Sequence, residues 1–158
     1  MYRAAYRITG SASDAEDVLQ TIFLRLAAQT TPNDLAPSPG AYLHRAAINA
    51  ALDVVRSRSR AHHVGFDAVE PSQLTSREQS PAAAHDEQEL RRLVQRAVSR
   101  LGARAAEVFV LRYFEGYDNR EIAEMLATSQ MVVAVTLHRA RTRLRREIGE
   151  YLEKHDEA

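Results

Sequence analysis

The sequence predicts an all-α protein: two small helical domains joined by a flexible linker, the C-terminal one a four-helix domain with a helix-turn-helix. Three observations predict it. Apolar residues recur at three- and four-residue spacing, and no stretch alternates with strand period. Residues 61–83 break that pattern with two prolines, several Ser and Gln, and little periodic apolar content. Beyond them, residues 118–145 read as a short helix, a tight turn and a longer helix, the spacing of a helix-turn-helix. The expected boundaries are 1–60, 61–83 and 84–158.

Each element has a local cause. Residues 2–9 form the end of a helix closed by Gly10, which can take the left-handed conformation of a helix stop. Ser13-x-x-Glu16 reads as a capping box opening the next helix. Its expected core residues are Val18, Leu19, Ile22, Phe23 and Leu26. The run TTPNDLAPSPG (residues 30–40) is a loop. Ser38 caps a third helix, with Pro39 at the first position where a missing N–H costs nothing. That helix runs to about Arg60, with Leu43, Ala47, Leu52 and Val55 inward.

The second domain begins with helix 85–101, whose apolar stripe is Leu90, Leu93, Val94, Ala97, Val98 and Leu101. Helix 103–114 presents Val108, Leu111 and Phe114, with Phe109 and Tyr113 beside them, and Gly116 ends it. Asp118-x-x-Glu121 is a second capping box and opens helix 119–127. Thr128–Ser129 turns into the last helix. Ile122 and Leu126 face Val133 and Leu137, and Ala123 is small where the helices cross. The buried seam continues through Ala140, Leu144 and Ile148.

Composition narrows the function. At 158 residues without a cysteine, the chain has no disulfide, thiolate metal site or cysteine nucleophile. No apolar run approaches the ~20 residues of a membrane span, and no signal-peptide pattern opens it, so a soluble, cytoplasmic protein without membrane insertion is expected. His62–His63 stand in the linker, and there is no HExxH and no Gly-rich phosphate loop. No enzyme, small-molecule substrate, metal or cofactor is expected. The zero net charge is unevenly distributed: +2 over 1–60, −5 over 61–90, +6 over 91–148 and −3 over the tail. Two basic blocks around an acidic connector suit a polyanion partner, and the connector could dock back on them and limit free DNA binding. Arg139, Arg141, Arg143, Arg145 and Arg146 on the last helix suit phosphate contact. The plainer alternatives are a solvated arginine face and an ordinary helical hairpin.

The C-terminal segment LGARAAEVFVLRYFEGYDNREIAEMLATS…VTLHRARTRLRREI resembles bacterial RNA polymerase sigma factors of the extracytoplasmic-function class. In that family it forms the helix-turn-helix that binds the promoter −35 element. YRITGSASDAEDVLQTIFLRL is similar to the segment that binds core RNA polymerase, and AYLHRAAINAALDVVRSRSR to the helix that meets the −10 element. The resemblance implies core RNA polymerase, promoter DNA and an anti-sigma factor as partners. It implies a polymerase-facing set of Asp14, Glu16, Asp17, Gln20 and Arg25. Acids near a helix start also oppose the helix dipole, which would make Glu16 merely structural. The implied −10 set is Asn49, Asp53, Arg56, Arg58 and Arg60, with loop 30–39 in the place of the family's base-reading loop. Asn49 alternatively reads as a helix-surface amide, and Asp53 as an i,i+3 partner of Arg56. The implied −35 set is Arg120, Ser129, Gln130, Ala134, Thr136, His138, Arg139, Arg141 and Arg143.

Departures from the family are informative. The family usually has more sequence before YRITG, so an N-terminally shortened member is expected. Thr21 stands where Glu is common, and Tyr42 where Trp is usual. The recognition helix reads Met131-Val132-Val133-Ala134-Val135-Thr136-Leu137, where the family pattern is roughly Gly-Thr-Val-Lys-Ser-Arg-Leu. Only Val133 and Leu137 survive. Val and Met can touch thymine methyls but cannot form the bidentate base contacts worth ~1–3 kcal/mol each. The expectation is a sigma factor with atypical −35 recognition. The alternative is a sigma-like protein that has lost promoter reading and acts through protein–protein binding, using Met131, Val132 and Val135 as an apolar patch.

Overall fold

A computed structural model of the chain describes residues 1–28, 38–63 and 81–156. It places seven α-helices there: α1 (Tyr2–Thr9), α2 (Ala12–Ala28), α3 (Pro39–His63), α4 (Pro81–Ser99), α5 (Ala103–Tyr113), α6 (Asn119–Met125) and α7 (Gln130–Asp156). No helix among the described residues is long and apolar enough to cross a membrane.

Gly10 closes α1 at φ 69°, donating its N–H to the Tyr6 carbonyl at 2.8 Å. The chain then turns at once, and α2 begins two residues before the Ser13 box expects. Ser11, not Ser13, is the cap: its hydroxyl accepts the Asp14 N–H at 3.3 Å. One face of α2 is covered by α1 and α3, burying Ala15, Val18 and Ile22. Leu19 is half-buried, and Phe23 is 56% exposed rather than in the core. A helix packed on one side buries only a stripe, and 18–26 carries more apolar residues than that stripe holds.

In α3 the Ser38 hydroxyl accepts the Ala41 N–H at 3.4 Å, and Ala47, Ile48, Ala51, Leu52 and Val55 are buried. Leu43 is only half-buried. The helix continues to His63 because no breaker precedes Gly65. Pro81 opens α4 four residues earlier than the apolar stripe indicates. Of the expected linker, 64–80 lies outside the described residues, as does the expected loop over 30–37, together with most of the acidic connector.

The C-terminal group is assembled around α7, which packs on α4, α5 and α6. Leu93, Ala97, Val98 and Leu101 are buried while Leu90, expected in that stripe, is 56% exposed one turn outside the covered surface. α3 also packs on α4 and α5, so one apolar cluster runs from Ile48 and Leu52 to Leu111 and Ile122. Each such side chain contributes about 1.5–3 kcal/mol by leaving water.

Candidate nucleic-acid interface

Local chemistry builds the helix-turn-helix residue by residue. The Asp118 carboxylate accepts the Glu121 N–H at 2.8 Å, and the Glu121 carboxylate accepts the Asp118 N–H at 2.7 Å. This reciprocal box satisfies two orphan donors of α6. The turn is a left-handed helix stop at Ala127 (φ 49°). The Thr128 N–H bonds the Ala123 carbonyl at 2.9 Å and the Ala127 N–H bonds that of Glu124 at 3.3 Å, a pairing that normally has glycine at the left-handed position. The Ser129 hydroxyl then accepts the Val132 N–H at 3.2 Å and opens α7. Ile122, Ala123, Leu126, Val133 and Leu137 are all buried, which fixes the angle between the two helices and hence which face of α7 looks outward.

That outward face is unusual. Met131 is 77% exposed, Val132 52% and Val135 44%, with Gln130, Ala134, His138 and Arg139 exposed around them. Thr136 is half-buried, and its hydroxyl donates back to the Val132 carbonyl at 2.7 Å. Arg120 pairs with Glu124 at 3.1 Å, Arg143 with Glu147 at 3.2 Å, and Arg141 donates to the Tyr113 hydroxyl at 3.3 Å. The nine residues expected at the −35 contact are spread over the α6–α7 turn and along α7, on both flanks of its buried seam. Ser129 has a structural duty there, and three arginines have local partners.

On α2, Glu16, Asp17, Gln20 and Arg25 are exposed. Asp14 departs from them: its carboxylate forms an ion pair with Arg58 of α3 and is largely covered. Phe23 and Leu24, 71% exposed, belong to the outer surface of α2. The only sequence signal for this was the excess of apolar residues in the stretch.

On α3 the assigned residues point to different partners. Asn49 donates its amide to Glu107 Oε1 at 3.1 Å. Arg56 bonds Asp53 at 3.3 Å, the i,i+3 pairing expected as the plainer reading, and donates to the Leu101 carbonyl at 3.4 Å. Burial lowers the Arg58 guanidinium pKa, and this side chain also reaches the Thr9 carbonyl at 3.4 Å. Asp53 and Arg60 are exposed.

Two residues escaped the sequence reading. The Glu107 side chain is only 5% exposed and accepts from Arg45 Nε at 2.9 Å. Its other oxygen meets Arg104 at 3.4 Å. A buried carboxylate is tolerable only when paired and hydrogen-bonded in this way. Its sequence signal was slight: one acid within the otherwise apolar run AAEVFVL (residues 105–111). Nearby, His44 lies 3.2 Å from Glu115 and edge-on to Tyr117.

The sigma-70 region 2 family matches residues 1–61, and the sigma-70 region 4 family matches residues 91–144. The extracytoplasmic-function (ECF) RNA polymerase sigma factor SigL of Mycobacterium tuberculosis is 33% identical over 155 residues, covering 95% of this chain and 83% of that protein. SigE of Mycolicibacterium smegmatis is 30% identical over 157 residues, covering 98% of this chain; the chain spans 58% of that relative's length. In fold, the chain is similar to the sigma factor RpoE of Bartonella quintana, solved in complex with the anti-sigma factor NepR. That likeness has a TM-score of 0.50 at 18% identity, covering 94% of this chain and 89% of that one.

Proposed function

The chain belongs to the ECF class of RNA polymerase sigma factors, and from that premise we propose that it binds core RNA polymerase and directs it to promoters with atypical −35 recognition. Residues 1–60 act as the polymerase- and −10-binding domain and residues 84–158 as the −35 domain. The exposed face of α2, with Glu16, Asp17, Gln20 and Arg25 around Phe23 and Leu24, docks on polymerase. Asn49 and the arginines of α3 meet the −10 strand, whose extruded base and backbone call for amide and cationic partners. Action on polymerase places the protein in the cytoplasm, with an anti-sigma factor as a further partner.

The observation that carries the atypical −35 reading is the exposed Met131, Val132 and Val135 on an otherwise intact helix-turn-helix. Such a surface can contact thymine methyls and, through Arg139 and Arg141, phosphates, without bidentate base bonds. The test is transcription by purified protein plus core polymerase on a genome-wide promoter pool. Discrete start sites with −10 specificity, weakened by Asn49→Ala, are expected. The same exposed patch favours a second reading, a sigma-like protein acting through protein–protein contacts. Polymerase binding with no transcript from any promoter would select it.

A further inference from the structure

We propose that the first two turns of α7 read the C5-methyl groups of pyrimidines, so that the chain binds thymine and 5-methylcytosine alike and rejects uracil and unmethylated cytosine. Met131, Val132 and Val135 are the specificity-determining side chains, and their ligand is duplex DNA that carries such methyls in its major groove. This rests on the proposed reading of α7 as the −35 helix and gives that helix a chemical basis of selection.

Met131 and Val135 stand one turn apart on the side of α7 turned away from the buried Val133 and Leu137, and the exposed Val132 flanks them. Thr136 is the one polar residue within 131–137, and its hydroxyl turns back to the Val132 carbonyl at 2.7 Å. These turns therefore offer a base edge no side-chain donor or acceptor except that committed hydroxyl. What they can meet in a major groove is the thymine methyl. Polar reach resumes at the two ends of the face, with the exposed Gln130 and His138.

An apolar contact senses the C5 methyl and is blind to the exocyclic group beside it. Thymine and 5-methylcytosine share the methyl and differ in that group, an oxygen in one and an amino group in the other. With Met and Val at the contact, the difference goes unread. The flexible thioether of Met131 adapts to a methyl at more than one base step. The surroundings favour DNA over an apolar protein partner. Arg139, Arg143, Arg145 and Arg146 are exposed along the same helix, and Glu124, beside the turn, is held by Arg120 at 3.1 Å. An apolar face framed by cations matches a groove whose floor carries methyls and whose walls are phosphates.

The test begins with sites selected from a pool of randomised duplexes by the full chain with core polymerase. Each thymine of a selected site is replaced in turn by uracil, by 5-methylcytosine or by cytosine, and affinities are compared by fluorescence anisotropy. At thymines read by α7, uracil should weaken binding roughly fourfold per methyl lost. At the same positions 5-methylcytosine should retain the affinity of thymine, and cytosine should not. The triple variant Met131→Ser, Val132→Ser, Val135→Ser changes only exposed residues. It should erase the thymine–uracil difference there while leaving the slope of log affinity against log salt unchanged. Equal wild-type affinity for thymine and uracil at every position, or a serine variant that keeps the difference, overturns the proposal and leaves the −35 reading standing. Selection of no duplex overturns both, and leaves the patch to a protein partner.

Discussion

Asn49 of α3 and Glu107 of α5 are 58 positions apart in the chain and share a 3.1 Å hydrogen bond. The bond ties a helix of the sigma region 2 segment to one of region 4, at the residue expected to meet DNA. Glu107 also receives Arg45 at 2.9 Å and Arg104 of its own helix at 3.4 Å, so a single carboxylate collects donors from both halves.

The Arg45–Glu107 pair should be strongly coupled. In a double-mutant cycle with Arg45→Met and Glu107→Gln, urea unfolding should give a coupling of about 1–3 kcal/mol, the range for a mostly desolvated, charge-assisted contact. Additive effects would mean that the pair contributes nothing at the interface.

A lysine at position 134 should restore a phosphate contact on α7. Ala134 is exposed among Met131, Val135 and His138, so Ala134→Lys should strengthen binding to −35 duplexes. It should also steepen the dependence of log affinity on log salt by about one contact's worth. Titrations at several salt concentrations check this, and an unchanged slope would show that position 134 does not face DNA.

Two substitutions at the α6–α7 turn should act in opposite directions. Asp118→Ala removes a reciprocal cap and should cost about 1 kcal/mol. Ala127→Gly relieves a left-handed alanine. It should stabilise by roughly 0.5 kcal/mol, the relief exceeding the added entropy of the unfolded chain. Denaturant midpoints measure both.

Stability should fall as the solution is acidified through the histidine range. Burial holds His44 below its ordinary value of 6.5, against the attraction of Glu115, with the Met1 amino group adding to the lowering; Arg7 also faces Glu115. The folded state therefore binds this proton less readily than the unfolded chain does. Its stability is complete above about pH 6.5 and declines as pH drops from there through the lowered folded pKa. The melting temperature should fall between pH 7.5 and 5.5, and His44→Gln should reduce the fall. An equal fall in both proteins would place the pH dependence elsewhere.

Local signals were legible where neighbours in sequence are also neighbours in space. Gly10, the Asp118–Glu121 box and the seam from Ile122 to Leu137 depend on contacts within a few residues, and each appears as expected. Ser13 failed because Ser11 offered an earlier hydroxyl directly after the Gly10 turn. Phe23 and Leu90 failed because periodicity identifies an apolar stripe but not how far its covering helices extend.

The sequence by itself determined the helices, the helix-turn-helix and the family, since 3.6-residue periodicity, caps and motif spacing are written along one chain. It also showed Val132, Ala134 and Val135 at positions of α7 where the family pattern has Thr, Lys and Ser. Only the tertiary structure decided the partners of long polar side chains. Asn49, Asp14 and Arg58 can each reach several residues, and which one they meet depends on how α3 lies against α2, α4 and α5. Glu107 became central for the same reason: a carboxylate inside an apolar run must find cations, and the fold supplies them from a helix some sixty residues away.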